Sequence, residues 1–179
     1  MEPSHVLVVT GPPGAGKSAV ADLLASKRPR GVHLESDCFF HFIRGGYVEP
    51  WRPESHAQNT TVMSIVASAA AGYAAAGYFT IIDGIISPRW FMHPVRERLE
   101  ASGHKVAYAI LRAPLPVCHA RTKDRGPGRP IDVDAEERLW HDFADLGDLE
   151  RHVIETDGLS VDETVDLLDE RLRDGSLDL

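Results

Sequence analysis

Eight residues near the start of the chain, Gly11-Pro12-Pro13-Gly14-Ala15-Gly16-Lys17-Ser18, fit the spacing G-x-x-x-x-G-K-[ST] without a mismatch. Glycines at these positions let backbone N–H groups converge on phosphate oxygens with no side chain in the way. A lysine there reaches the β- and γ-phosphates, and the hydroxyl that follows suits Mg²⁺. The context agrees. The apolar run Val6-Leu7-Val8-Val9 precedes the loop, and an alanine- and leucine-rich segment, 19–26, follows it. Strand, glycine loop and helix in that order aim the positive end of a helix dipole at the same anion. The residues expected on a nucleoside triphosphate are therefore Gly11, Pro12, Pro13, Gly14, Ala15, Gly16, Lys17, Ser18 and Ala19, with Ser18 also a metal ligand.

Two carboxylates stand where strands should end, which is where open α/β sheets bind ligands. Asp83 closes the run Phe79-Thr80-Ile81-Ile82 and precedes Gly84. A carboxylate in that position can hold Mg²⁺, although Asp-Gly also makes ordinary turns. Asp37 follows Val32-His33-Leu34-Glu35-Ser36. It could take a proton from an attacking hydroxyl or help hold the metal, and it could equally cap a helix beginning at Cys38. A cationic stretch, Arg121-Thr122-Lys123-Asp124-Arg125-Gly126-Pro127-Gly128-Arg129, runs off a helix into a glycine–proline loop. Arg121 and Arg125 are four apart and share a helix face. Arg125 is the first candidate to stabilise charge on a transferring phosphoryl group, and Arg121 the second. The segment around 121–130 has the make-up of a closing lid, against the plain alternative of a basic helix C-terminus. The aromatic and apolar residues Phe39, Phe40, Phe42, Tyr47, Trp51, Trp90, Phe91 and Met92 flank the two carboxylates in sequence. A few of them could line an acceptor pocket, and most should be core.

The elements that must position these groups are legible as apolar runs. Strands are expected at 6–10, 31–35, 79–83, 106–111 and 152–155, each continuous rather than alternating, as in strands covered on both faces. Helical patterns fill the intervals at 17–26, 38–43, 57–76, 88–101, 115–123, 135–146 and 161–173. Start signals are Ser87-Pro88, Ala113-Pro114 and Ser160. The alternation implies an α/β fold, a parallel sheet with helices on both sides. The chain of 179 residues suits one domain, 1–179. A net charge of −8 with no Lys/Arg cluster argues against nucleic acid. The longest apolar stretch, 63–78, is too interrupted for a membrane span, and no signal-peptide pattern opens the chain. Two cysteines, Cys38 and Cys118, exclude a disulfide framework and fit a cytoplasmic protein.

The phosphate loop, Ser36-Asp37 after the second strand, Ile82-Asp83-Gly84, the basic segment after Leu111-Arg112-Ala113-Pro114 and the closing Glu155-Thr156-Asp157-Gly158-Leu159-Ser160 together resemble the small P-loop kinases. Their order is similar to that in chloramphenicol phosphotransferase, gluconate kinase, shikimate kinase and zeta-toxin proteins. More narrowly, it resembles the bacterial AAA-domain ATPase/kinase-like family. The resemblance spans essentially the whole chain. It implies a three-layer P-loop NTPase fold with a five-stranded parallel sheet of order 2-3-1-4-5 and a lid after the fourth strand. It places Thr156, Asp157 and Gly158 near the base of a bound nucleotide, and Arg121 near the base or the phosphates. It implies ATP and Mg²⁺ as cofactors, with Ser18 and Asp83 on the metal. The expected activity is transfer of the γ-phosphate to a hydroxyl of a small molecule, with Lys17, Asp37 and Arg125 catalytic. Two other readings compete. One is a nucleotide-driven switch without an acceptor. The other is a nucleotide kinase, which wants an arginine-rich second phosphate site where 44–53 supplies only Arg44 and Arg52. The alanine-rich helix could pack within a monomer or against a twin in a homodimer.

Overall fold

A computed structural model describes residues 5–123 and 133–179. The central strand, β1 (His5–Thr10), reads as continuous apolar sequence because both of its faces are covered. Val6 and Val8 join a core with α3 (His56–Ala75) and α4 (Met92–Ala101). Leu7 and Val9 join the opposite core with α1 (Lys17–Ser26) and α7 (Val161–Arg173). Around β1 lie β2 (Gly31–Glu35), β3 (Phe79–Asp83), β4 (Lys105–Arg112) and β5 (Val153–Glu155). The five form one sheet of order β2-β3-β1-β4-β5 with every pairing parallel, the expected P-loop NTPase arrangement. Register brings Val9, Asp83 and Glu35 to one level across β1, β3 and β2, so the phosphate loop and both strand-end acids leave the sheet side by side. Burying each core Val, Leu or Ile contributes roughly 1.5–3 kcal/mol, which holds that level fixed.

Several boundaries differ from the sequence expectation, for identifiable reasons. The second helix, α2, spans Ser36–His41 and so starts two residues early, directly off β2. The fourth helix starts at Met92 rather than near Pro88. Residues 84–91 are held as a loop instead. Ile86 N–H donates to Thr10 Oγ1 at 2.8 Å, the Tyr108 hydroxyl donates to Ile86 O at 2.6 Å, and the N–H groups of Trp90 and Met92 both donate to Ser87 O. α5 spans Leu115–Lys123 as expected, and α6 spans Val133–His141. α6 ends before Phe143 and Leu146, which keep the apolar rhythm because they enter the core from the following turn. The start of α7 is a complete capping box between Ser160 and Glu163, worth about 1 kcal/mol.

Two features escape the apolar pattern. The C-terminal residues bridge antiparallel to β4, with Tyr108 N–H donating to Leu177 O and Leu179 N–H to Val106 O. The turn-rich segment 44–55 is laced to α3. Gln58 accepts from Val48 N–H and donates to Val48 O at 2.9 and 2.6 Å, and the Asn59 amide donates to Pro50 O and Ser55 Oγ, both at 2.8 Å.

Candidate active site

The phosphate loop is shaped by backbone. Gly14 has φ +79°, and a Cβ on it would lie 2.4 Å from the carbonyl oxygen of Cys118 on α5. Gly16 has φ +94° with open space around it, so its need for glycine is conformational alone. It caps α1, whose first residue, Lys17, is only 7% exposed and donates from Nζ to Pro12 O at 2.9 Å. The lysine thus lies back over its own loop. Arg121 braces the loop from α5, donating to Gly14 O and to Thr156 O at 3.4 Å each. Thr156 is buried, its hydroxyl donates to Ala15 O at 3.2 Å, and its N–H donates to Arg112 O at 2.7 Å. Asp157 and Gly158 follow as an exposed turn beside this brace. Arg125 lies outside the described residues, as does most of the expected lid; Arg121 to Lys123 end α5.

Asp83 is 1% exposed at the tip of β3. Its Oδ2 accepts a hydrogen bond from His33 Nε2 at 3.3 Å, while Oδ1 is buried with no hydrogen-bond partner among the described residues. His33 also approaches Asp22 Oδ1 on α1, its Nδ1 lying 3.9 Å away. Burial pulls the His33 pKa down, but the hydrogen bond and charge of Asp83, with Asp22 and Glu35, outweigh it and leave the pKa raised. An orphaned buried carboxylate oxygen costs about 1–3 kcal/mol or more unless a cation or water meets it. Among the described residues no group of three or more His, Cys, Asp or Glu could hold a metal by itself. Mg²⁺ does not require one, because it keeps waters and phosphate oxygens and takes one or two protein oxygens. Ser18, in the first turn of α1, and Asp83 fit that demand.

A cleft of about 1060 Å³ has Ser36 and Asp37 of α2, His119 and Thr122 of α5 and Glu136 of α6 in its lining, but none of residues 11–18, Asp83 or Arg121. α5 joins the cleft to the loop: its Cys118 backs Gly14, and the next residue, His119, lines the cleft. Asp37 also lines it, exposed in the first turn of α2, where Glu35 rather than Asp37 is the N-cap residue. The residues next to Asp37 and Asp83 pack against each other, since a Cβ on Gly84 would fall 2.0 Å from Ser36 Oγ. Tyr47, Trp51 and Trp90 supply aromatic walls, Phe40 lies at the cleft floor as part of the core, Met92 is core, and Phe39 and Phe42 line a separate apolar groove. His41 and His56 reach the cleft, and His56 stacks on Phe91; His93 is exposed elsewhere. Glu136 on α6 is 4% exposed, faces the cleft and accepts from Thr122 Oγ1 at 2.8 Å. Burial pushes the Asp142 carboxyl up, partly opposed by Arg89. Sequence reasoning did not find His33, Glu136, Gln58 or Asn59. A polar residue inside the apolar run Val32-His33-Leu34 was the one available signal.

The loop, the sheet order and the parallel register define a P-loop NTPase-like α/β fold. The chain belongs to the AAA domain family, whose model matches residues 6–146. Among solved structures it is similar to the tunicamycin resistance protein of Deinococcus radiodurans, with 20% identity, a TM-score of 0.71, and 94% of this chain and 95% of that one covered. It is similar to a sugar kinase from a Janibacter species, with 22% identity, a TM-score of 0.68, and 96% and 95% covered. A shikimate kinase from Acinetobacter baumannii, solved with shikimate, gives 23% identity, a TM-score of 0.61, and 96% and 92% covered. At these identities the likeness is one of fold. A search of curated proteins finds no match.

Proposed function

We propose that the protein is an ATP-dependent kinase that phosphorylates a hydroxyl of a small molecule. The observation that carries this reading is the placement of Asp37 in a large side-chain-lined cleft that shares α5 with the phosphate loop. In this mechanism Lys17 leaves Pro12 O for the β- and γ-phosphate oxygens. Ser18 and Asp83 would hold Mg²⁺, which would offset the negative charge of the phosphates. Asp37 accepts the proton of the acceptor hydroxyl as its oxygen bonds to the γ-phosphorus, and the bond to the ADP oxygen breaks. Arg121 steadies the loop carbonyl and the base-side turn, and Arg125 is assigned the lid role toward the transferring group. The products are ADP and a phosphate monoester.

The test is ATP consumption with Mg²⁺ against a panel of hydroxylated compounds. Asp37→Asn should lower acceptor-dependent turnover by about 10²–10⁴-fold while leaving ADP affinity unchanged. Lys17→Ala should lose both turnover and nucleotide affinity. Full acceptor-dependent turnover in Asp37→Asn would remove Asp37 from the role of base.

A further inference from the structure

The two oxygens of Asp83 have different surroundings, and one side chain makes the difference. Oδ2 is engaged by His33 at 3.3 Å, and Oδ1 is buried and unpartnered among the described residues. An ionised carboxylate can only accept, so the His33 nitrogen that faces it, Nε2, carries the hydrogen. The opposite ring nitrogen, Nδ1, lies 3.9 Å from Asp22 Oδ1. Asp22 sits on α1, the helix whose first two residues are Lys17 and Ser18. The imidazole therefore spans from the phosphate-binding helix to the tip of β3, with a side chain only 16% exposed.

We propose that His33 is a positioning residue: it pins Oδ2 of Asp83 so that Oδ1 is presented to the divalent cation of a metal–nucleotide complex. The proposal rests on the nucleotide-and-metal reading of the site given above. A carboxylate without that anchor is free to turn about its last torsion, a broad two-fold rotation, and presents either oxygen or neither. Residues that orient a metal-ligating side chain in this way typically change metal affinity 10–100-fold when removed.

Calorimetric binding of ADP, with Mg²⁺ and with EDTA, separates the possibilities without requiring turnover. Wild type should bind Mg²⁺–ADP more tightly than ADP alone. His33→Leu should lose about 10–100-fold of the Mg²⁺–ADP affinity and bind metal-free ADP as wild type does, which also reports that the fold is intact. His33→Gln, which keeps an amide donor of similar reach, should recover most of the loss. His33→Asn is a second variant that tolerates the half-polar strand position; its shorter donor should behave like leucine. In an Asp83→Asn background, His33→Leu should have no further effect. Wild-type Mg²⁺–ADP affinity in both His33→Leu and His33→Asn would overturn the proposal, and so would equal losses in the glutamine and leucine variants. A different pattern marks failure of the underlying reading. There, wild type would show no gain from Mg²⁺, and Asp83→Asn would be silent.

Discussion

On the function proposed above, the site has a nucleotide side and an acceptor side, and the two are built from different material. Around the phosphates, shape comes from backbone: Gly14 and Gly16 take left-handed conformations, and Gly14 packs against the main chain of Cys118. Around the acceptor cleft, shape comes from side chains. Gln58 and Asn59 lace the 44–55 segment to α3, and Thr122 ties Glu136 across α5 and α6. A backbone-built site accepts any ligand with the right phosphates and tolerates almost no change. A side-chain-built site can be re-cut residue by residue, so selectivity for the acceptor belongs there.

The contrast can be broken most forcefully at Gly14. Gly14→Ala places a Cβ 2.4 Å from a main-chain oxygen at φ +79°, where neither side can yield cheaply. Left-handed strain and overpacking together should destabilise the fold by about 2–5 kcal/mol and abolish ADP binding. Urea denaturation and calorimetry check both; a stable variant with intact ADP affinity would mean the loop is not backbone-limited.

On the acceptor side the effect should be smaller and selective. Asn59→Ala removes two hydrogen bonds that hold the 50–55 turn, at about 1–2 kcal/mol. The expected signature is a raised KM for the acceptor with unchanged ADP affinity, read by steady-state kinetics and calorimetry. Loss of ADP affinity would show that the two sides are not separable.

The smallest effect lies away from both regions. His152 is fully buried under β4. Its Nδ1–H donates to Tyr108 O at 3.0 Å, and its Nε2 accepts from Arg151 Nε at 3.0 Å, so the ring is held neutral. Burial, with help from Arg151 and Arg171, lowers its pKa below the ordinary 6.5, although the Tyr108 carbonyl pulls the other way. The unfolded chain therefore takes up that proton first as pH falls. The stability tied to His152 is complete above its unfolded pKa and is lost as pH drops through 6.5 toward the folded value, by at most about 1.4 kcal/mol per unit. Melting temperatures at pH 7.5 and 5.5 for wild type and His152→Gln should show a shallower fall in the variant. Comparing the two proteins cancels His33, whose raised pKa runs in the opposite sense. Nucleotide affinity should not follow this slope, which marks it as a property of the scaffold and not of the site.

How much was readable in advance follows the same division. The glycine loop, the five apolar runs and the five elements whose bounds match the expectation, α1, β2, β3, α5 and α7, depend on local conformation or on burial of consecutive residues, and both leave a mark in the chain. The sheet order came with the family resemblance rather than from periodicity. The start of α4 was misplaced because Ser87-Pro88 has the form of a helix entry, yet Thr10 and Tyr108 hold Ile86 in a loop. The bridge of the C-terminal residues onto β4 is too short to show a period.

By itself, the sequence determined that a glycine loop of the P-loop pattern stands at the end of a buried strand, because positive-φ glycines and unbroken apolar runs are local demands. Tertiary structure alone decided which oxygen of Asp83 lacks a hydrogen-bond partner among the described residues, and that decision is made by a histidine fifty positions earlier in the chain. It also decided that Arg121 braces Gly14 across 107 positions, and that Asp37 and Glu136 face one cleft. Contacts between residues so far apart have no period and no motif. They exist only once parallel strands have set their tips at one level and the helices have closed over them.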